Sequence, residues 1–331
     1  MKALVYTGVK QLDFIDRPDP QSQAGDALIR VEAVGICGSD MHAWAGHDDR
    51  RPAPLILGHE AAGTVIDGPM TGQRVTVNPL VTCGACQACT SGRDNLCATR
   101  QIISMPPREG AFAELLTMPA RNLVAVPDHV SLAAASLAEP LACGWHAVRL
   151  AQKALDIPLA AARCLVMGGG AIGLGAALVL RAMGAGQIMV AETSAARRAI
   201  VGAQDGITVF DPISDTAPQD VDLVIDGVGF GATRAAGSQA LRPGGVFMHI
   251  GLGDTAPGLD IRRATLQELT FIGTYTYTAQ DFRDTAQAIF EGRLGALDWA
   301  EAAPLSDGAQ AFRSIADGQV AAPKITLLPQ A

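Results

Sequence analysis

Four cysteines crowd into one short segment rich in Gly, Ala and Thr: Cys83, Cys86, Cys89 and Cys97, spaced C-x2-C-x2-C-x7-C. Four thiolates so placed can close a tetrahedron around one zinc ion, leaving no coordination position for a substrate. Such a zinc would be structural. An iron–sulfur cluster and a set of metal-free thiols are the rival readings. The first has no support elsewhere in the chain, and four thiols exposed in one loop would be prone to oxidation. A nucleic-acid-binding zinc module is a further rival, but Arg93 is the only basic residue between the first and last of these cysteines.

A second chemistry is written at Leu165-Val166-Met167-Gly168-Gly169-Gly170-Ala171-Ile172-Gly173, an apolar strand that runs through G-x-G-x-x-G into a helical pattern. Gly168 permits the tight turn, Gly170 lets the backbone approach a pyrophosphate, and Gly173 allows the helix to pack closely. Ala171 and Ile172 then open the helix whose N-terminus faces the phosphates. A bare glycine motif also describes an ordinary turn, so Glu192 carries much of the argument. It ends the next strand, where a carboxylate accepts the ribose hydroxyls and repels the extra phosphate of NADP. NAD is the expected cofactor, with Arg197 and Arg198 as the residues that could hold that phosphate instead. Val228 and Gly251, after two later strands, are further candidate cofactor contacts.

A third set is scattered: Cys37, His59, Glu60 and Glu139. Taken singly, each has a dull explanation as a core thiol, a loop histidine or a surface carboxylate. Their surroundings are distinctive: Gly35-Ile36-Cys37-Gly38-Ser39-Asp40-Met41-His42, Gly58-His59-Glu60 and Glu139-Pro140-Leu141. One thiolate, one imidazole and carboxylate oxygen would form a mixed zinc site able to take water or an alcohol oxygen.

These groups need elements to hold them. The first 130 residues predict short strands at Lys2 to Tyr6, Ala27 to Val34, Ala62 to Ile66, Gln73 to Val77 and Phe112 to Thr117, heavily punctuated by Gly and Pro. That density argues for a small barrel or partly open sandwich. Leu132 to Ala151 reads as a helix despite Pro140. Strands and helices then alternate from Cys164 to Ile250, the signature of a doubly wound parallel sheet. Phe271 to Tyr277 reads as a further strand, Gln280 to Glu291 as a helix, and Gly308 to Asp317 and Lys324 to Leu328 as a last helix and strand. The expected class is thus α/β, a β-rich unit joined to a Rossmann-type unit.

With 331 residues, the chain has room for two cores. Its net charge of −8 and scattered basic residues argue against nucleic acid and membrane surfaces as partners. The N-terminus lacks the apolar core and cleavage site of a secretory signal, and the most apolar stretch, Cys164 to Leu180, is short and interrupted by glycines. A cytoplasmic location follows as the expectation. The odd number of cysteines, 7, fits metal binding better than disulfides.

In these motifs and their order the chain resembles the zinc-containing medium-chain dehydrogenase/reductase family, in particular its sorbitol (polyol) and threonine dehydrogenase branch. The resemblance covers nearly the whole length. It implies a GroES-like catalytic domain over residues 1–138, a Rossmann NAD-binding domain over 139–278, and a segment 279–331 that returns to the catalytic domain. It implies two zinc ions per chain, one structural and one catalytic, with Cys37, His59, Glu60 and Glu139 as candidate ligands of the latter. The two carboxylates need not bind together, and Cys143, four residues after Glu139, does not match a ligand position. Ser39 is implied to take the alcohol proton, His42 to pass it to solvent, and Asp40 to orient His59. Zinc would act as a Lewis acid on an alcohol that gives hydride to NAD.

A homo-oligomer pairing through Phe271 to Tyr277 is also implied. The region Trp44 to Leu57 is expected at the substrate pocket, with Arg50 and Arg51 as possible receivers of a carboxylate or phosphate. Two other classes compete: a zinc-free quinone or enoyl reductase of the same superfamily, against which Cys37, His59 and Glu139 argue, and a non-catalytic NAD-binding protein, against which Ser39 and His42 argue.

Overall fold

The computed structural model describes residues 1–331. In the first part of the chain the alternating runs fold as strands and the Gly- and Pro-rich stretches turn. The strands are β1 (Lys2–Gly8), β2 (Gln11–Asp16), β3 (Asp26–Gly35), β4 (Leu55–Ile56), β5 (Glu60–Asp67), β6 (Arg74–Val77), β7 (Leu80–Val81), β8 (Gln101–Ile102), β9 (Leu115–Pro119) and β10 (Leu123–Ala125). Three helices, α1 (Gly38–Trp44), α2 (Gln87–Thr90) and α3 (Leu132–Ser136), interrupt or follow them. Inward residues such as Ile29, Val31 and Val75 share one apolar core with Phe112 and Phe312.

The helix expected over Leu132 to Ala151 is two. Leu137 ends α3, and α4 (Ala138–Ala154) starts immediately after it. Pro140 sits in the first turn of α4, where no intrahelical N–H is needed, so it starts the helix and does not break it.

A six-stranded parallel sheet follows: β11 (Arg163–Met167), β12 (Gln187–Ala191), β13 (Ile207–Phe210), β14 (Val221–Asp226), β15 (Leu241–His249) and β16 (Thr270–Gly273), in the order β13-β12-β11-β14-β15-β16. Helices α5 (Ala171–Ala182), α6 (Ala195–Gly202), α7 (Gly231–Ala240) and α8 (Ile261–Leu266) lie between the strands. This is the doubly wound arrangement, and its switch point between β11 and β14 is where such sheets bind ligands. The strand expected over Phe271 to Tyr277 stops at Gly273. Thr274 to Tyr277 leaves the sheet, and Thr276 takes a left-handed φ of 47° that no strand accommodates.

The chain continues through α9 (Ala279–Phe290), β17 (Ala300–Pro304), α10 (Gly308–Ala316) and β18 (Lys324–Leu328). Helix α9 packs Phe282, Ala286 and Ile289 into the core that also holds Leu141 and Val148 of α4. That core also contains Ala62, Leu80 and Leu132 of the first part of the chain, and the last two strands join its sheet. There β18 pairs antiparallel with β3, Thr326 opposite Gly35, and β17 pairs parallel with β18. The resulting seven-stranded sheet runs β10-β6-β5-β3-β18-β17, with β9 also on β3.

Candidate metal and cofactor site

Strand β3 ends at Gly35, and Cys37 caps the N-terminus of α1. Register places Gly35 opposite Glu60 at the start of β5, with His59 just before it. Three donor groups thereby converge: the ligand atoms of Cys37, His59 and Glu60 lie within 4.8 Å of one another. Gly35 is required here, because a Cβ on it would stand 1.9 Å from Glu60 Oε2. That oxygen and His59 Nδ1 are buried and have no hydrogen-bond partner, which is uncommon for buried polar atoms. A convergent thiolate, imidazole and carboxylate with an orphaned oxygen suit a borderline-soft divalent cation.

The other Glu60 oxygen is occupied. Lys324 Nζ donates to Oε1 at 2.6 Å and to the Ile36 carbonyl at 2.8 Å. Burial alone would push this ammonium down, but Glu60 and Cys37 reverse the effect and raise its pKa. Asp40 sits behind the trio, its Oδ1 3.6 Å from His59 Nδ1 and accepting the Gly58 N–H. Burial pushes the Asp40 carboxyl up, yet His59 and Arg51 outweigh that and hold it below the usual range.

Glu139, in the first turn of α4, adjoins the trio without joining the 4.8 Å cluster. Its Oε1 accepts the Tyr277 hydroxyl at 2.6 Å. Burial raises the pKa of Glu139, with Glu60 adding to it and His59 opposing. Burial and then Glu139 push the Tyr277 phenol well above its ordinary value, so it stays a donor. One turn further along α4, the Cys143 thiol is pushed up by burial and by Glu139, and it too lies outside the cluster.

On α1, Ser39 is half-buried and His42 is exposed. The Trp44 to Leu57 region contributes no residue to the lining of the cleft between the donor cluster and the glycine loop. Trp44 is buried with its ring 5.9 Å from that of Phe312. Arg51 is also buried, donating to the Ser104 carbonyl and to Asp48, and is committed to the loop in place of an incoming anion. Arg50 is exposed and holds Asp48 through two nitrogens.

The glycine loop faces the metal cluster across a cleft of about 240 Å³, lined by Cys37, Glu60, Gly170, Ile172, Arg197 and Lys324 among others. Gly168 has a φ of +90°, and a Cβ on Gly173 would stand 1.8 Å from the Gly168 carbonyl. Nothing lies within 4 Å of a Cβ built on Gly170, which leaves its backbone open to a phosphate. Glu192 is buried at the rim, accepting the Gly169 N–H at 2.8 Å and the Ser194 N–H at 2.8 Å. Arg197 donates to the carbonyls of Val320 and Ala321 across the cleft, and Arg198 to those of Glu192 and Thr193. Asp226 Oδ1 gathers the N–H groups of Val228 and Gly229, and its carbonyl takes the Gly251 N–H.

The four-cysteine lobe stands apart. Its sulfurs form a cluster within 4.8 Å, with Cys83–Cys89 at 3.8 Å and Cys86–Cys89 at 3.6 Å. A tetrahedron with zinc–sulfur bonds of about 2.3 Å has edges of about 3.8 Å, whereas a disulfide would need about 2.05 Å. The donors fit zinc.

Sequence reasoning missed Tyr277 and Lys324. Both lie in runs that read as strands, and only the tertiary fold brings them to the acidic groups. The one available signal was a lysine opening an otherwise apolar strand.

Residues 23–128 match the alcohol dehydrogenase GroES-like domain family, and residues 171–291 match the zinc-binding dehydrogenase family. The chain is 33% identical over 311 residues to L-galactonate-5-dehydrogenase of Escherichia coli K12, covering 89% of each. It is 27% identical over 341 residues to D-xylulose reductase A of Aspergillus oryzae, covering 96% of this chain and 94% of that one. Among solved structures, a zinc-binding dehydrogenase of Sinorhizobium meliloti 1021 bound to NADP superposes with a TM-score of 0.87 at 25% identity, covering 99% of both chains.

Proposed function

Since the chain belongs to the zinc-containing medium-chain dehydrogenase/reductase family, we propose that it oxidises a secondary alcohol of a polyol or sugar acid with NAD as hydride acceptor. It is a zinc- and nicotinamide-dependent oxidoreductase. The observation that carries the finer reading is the cluster of Cys37, His59 and Glu60 donors, of which Cys37 and Glu60 line one cleft with the glycine loop. Relatives named for L-galactonate and D-xylulose support the substrate class.

In this reading Cys37, His59 and Glu60 hold the catalytic zinc, with Glu139 adjoining as an acidic group that exchanges with Glu60 or reaches the ion through water. Zinc bound there supplies Lewis acidity toward the substrate oxygen. The residues of the chain do the rest. Asp40 orients His59, Lys324 anchors Glu60, and Ser39 accepts the alcohol proton that exposed His42 passes to solvent. Cys83, Cys86, Cys89 and Cys97 hold the structural zinc. Gly168, Gly170, Ala171, Ile172, Gly173, Val228 and Gly251 seat the dinucleotide. Glu192 favours NAD, because its carboxylate repels a 2′-phosphate and both nearby arginines are already engaged with carbonyls.

The edge strand β16, with Phe271 exposed on it and Ile261 and Leu266 more than half exposed on the preceding α8, suits pairing with a second copy. No helix is long and apolar enough to cross a membrane, and a cytoplasmic location is part of the same proposal. Steady-state NAD reduction over polyols, aldonic acids, phosphorylated polyols and simple secondary alcohols, with metal analysis of the same sample, tests the reading. Turnover confined to metal-free protein, or to none of these alcohols, would overturn it. Light scattering that finds only monomer at micromolar concentration would remove the pairing.

A further inference from the structure

The four-cysteine lobe and the catalytic cluster are joined by a short line of specific contacts. Just before Cys97, the Asp94 carboxylate accepts the N–H of Ala279, the first residue of α9, at 3.0 Å. Asn95 Nδ2 donates to the Tyr275 carbonyl at 2.8 Å. Arg100 is held by the Cys97 carbonyl, and its guanidinium lies 4.6 Å from the Tyr275 ring centroid. The lobe thus grips Tyr275 and Ala279, on either side of Tyr277. Between them Thr276 takes its left-handed φ of 47° with its hydroxyl buried and unpartnered. Such a conformation is unfavourable for a β-branched residue and persists only where its surroundings impose it. Its outcome is the direction of Tyr277, buried against Phe282 with its hydroxyl on Glu139.

Each acidic group at the centre thus has one tethered oxygen. Glu60 is tethered by the Lys324 ammonium and Glu139 by the Tyr277 phenol. We infer that Tyr277 is a positioning residue that holds Glu139 beside the catalytic metal, and that the four-cysteine lobe holds Tyr277 in place. This rests on the metal-site reading above. The lobe then does more than stabilise its own loop, because its folding fixes the geometry of a carboxylate in another part of the site. Partners that orient metal-adjacent groups are worth about ten- to a hundredfold in affinity or activity.

The test uses the full chain loaded with cobalt(II) and zinc. Tyr277→Phe keeps the ring and removes only the hydroxyl. The expected result is a shifted cobalt visible spectrum, about ten- to a hundredfold faster loss of the catalytic metal to a chelator, and a similar fall in kcat/KM, with near-unchanged NAD affinity. Asp94→Ala, remote from the centre and retaining all four cysteines, should move the same spectrum in the same direction by a smaller amount. A parent that takes up only one metal ion per chain overturns the metal-site reading and this inference with it. A parent with both ions, and a Tyr277→Phe variant with the parent's spectrum and chelator rate, overturns the inference alone. Asp94→Ala that lowers Tm without moving the spectrum removes the role given to the lobe.

Discussion

Lys324 Nζ lies 2.6 Å from Glu60 Oε1, with both side chains buried and 264 positions apart in sequence. The ion pair engages one oxygen of Glu60 and leaves the other, Oε2, buried and without a hydrogen-bond partner.

Removing one member of a buried pair leaves the other uncompensated, at a cost of about 3–5 kcal/mol. Lys324→Met should therefore lower stability by about that amount and weaken the catalytic metal by tenfold or more. Denaturant melts and metal analysis check it. Retention of both parent values would mean that the lysine is a bystander.

The two clusters should separate by mutation. Cys37→Ser should abolish turnover and remove about one of the two zinc ions, while NAD binding and Tm stay close to the parent. Cys89→Ser should remove the other ion and lower Tm by several degrees, because structural zinc binding is coupled to local folding. Zinc content measured beside calorimetry distinguishes them, and identical profiles would refute the division of roles.

In the proposed reading, cofactor choice hangs on Glu192. Glu192→Ala should reduce kcat/KM for NAD by about ten- to a hundredfold, the loss of a charge-assisted hydrogen bond, with less effect on NADP. The Gly169 N–H loses its acceptor in the same variant, so KM should bear more of the change than kcat. Kinetics with both cofactors on the parent and the variant settle the matter. Equal efficiency of the parent with NADP would remove Glu192 from this role.

Asp281 closes the capping box of α9 with Thr278, the N-cap residue, and also accepts from His146 and Arg149. Burial would raise its carboxyl, but these partners hold it well below the usual range. A folded pKa below the unfolded value of about 3.9 means stability that is fully present above that value and lost as pH falls toward the folded one. Asp281→Asn should cost about 2–3 kcal/mol at pH 7, and the gap to the parent should narrow below pH 4. Urea melts at pH 7, 5 and 3.5 measure this. A gap that does not change with pH would show that the carboxylate charge is not the cause.

Much of the site was legible because its parts are local. The glycine loop, the four cysteines and the segments around Cys37 and His59 each encode their geometry within a few residues, through turns, caps and ligand spacing. The fold class followed from periodicity for the same reason. What escaped were relationships across the chain. Tyr277 alternates with Tyr275 as a strand would, and only the lobe's grip and the left-handed Thr276 take it out of the sheet. Lys324 reads as the polar start of a strand until β18 is laid beside β3. Arg51 and Trp44 looked available to a substrate because burial of an arginine by Asp48, or of an indole by Phe312, depends on packing that no local pattern reports. Strand β13 went unread because four residues between polar turns give too little periodicity.

The pairing of β18 with β3 also governs the order in which the protein can be assembled. Cys37 and His59 leave the ribosome early, but the lysine that pairs with Glu60 arrives only after the whole six-stranded unit has been synthesised. Until then the first sheet lacks two strands, and its acidic group has no counter-ion. Closing so long a loop is a slow, late event in folding. On the proposed ligand set, the complete zinc site is therefore expected to form only once β18 has docked on β3.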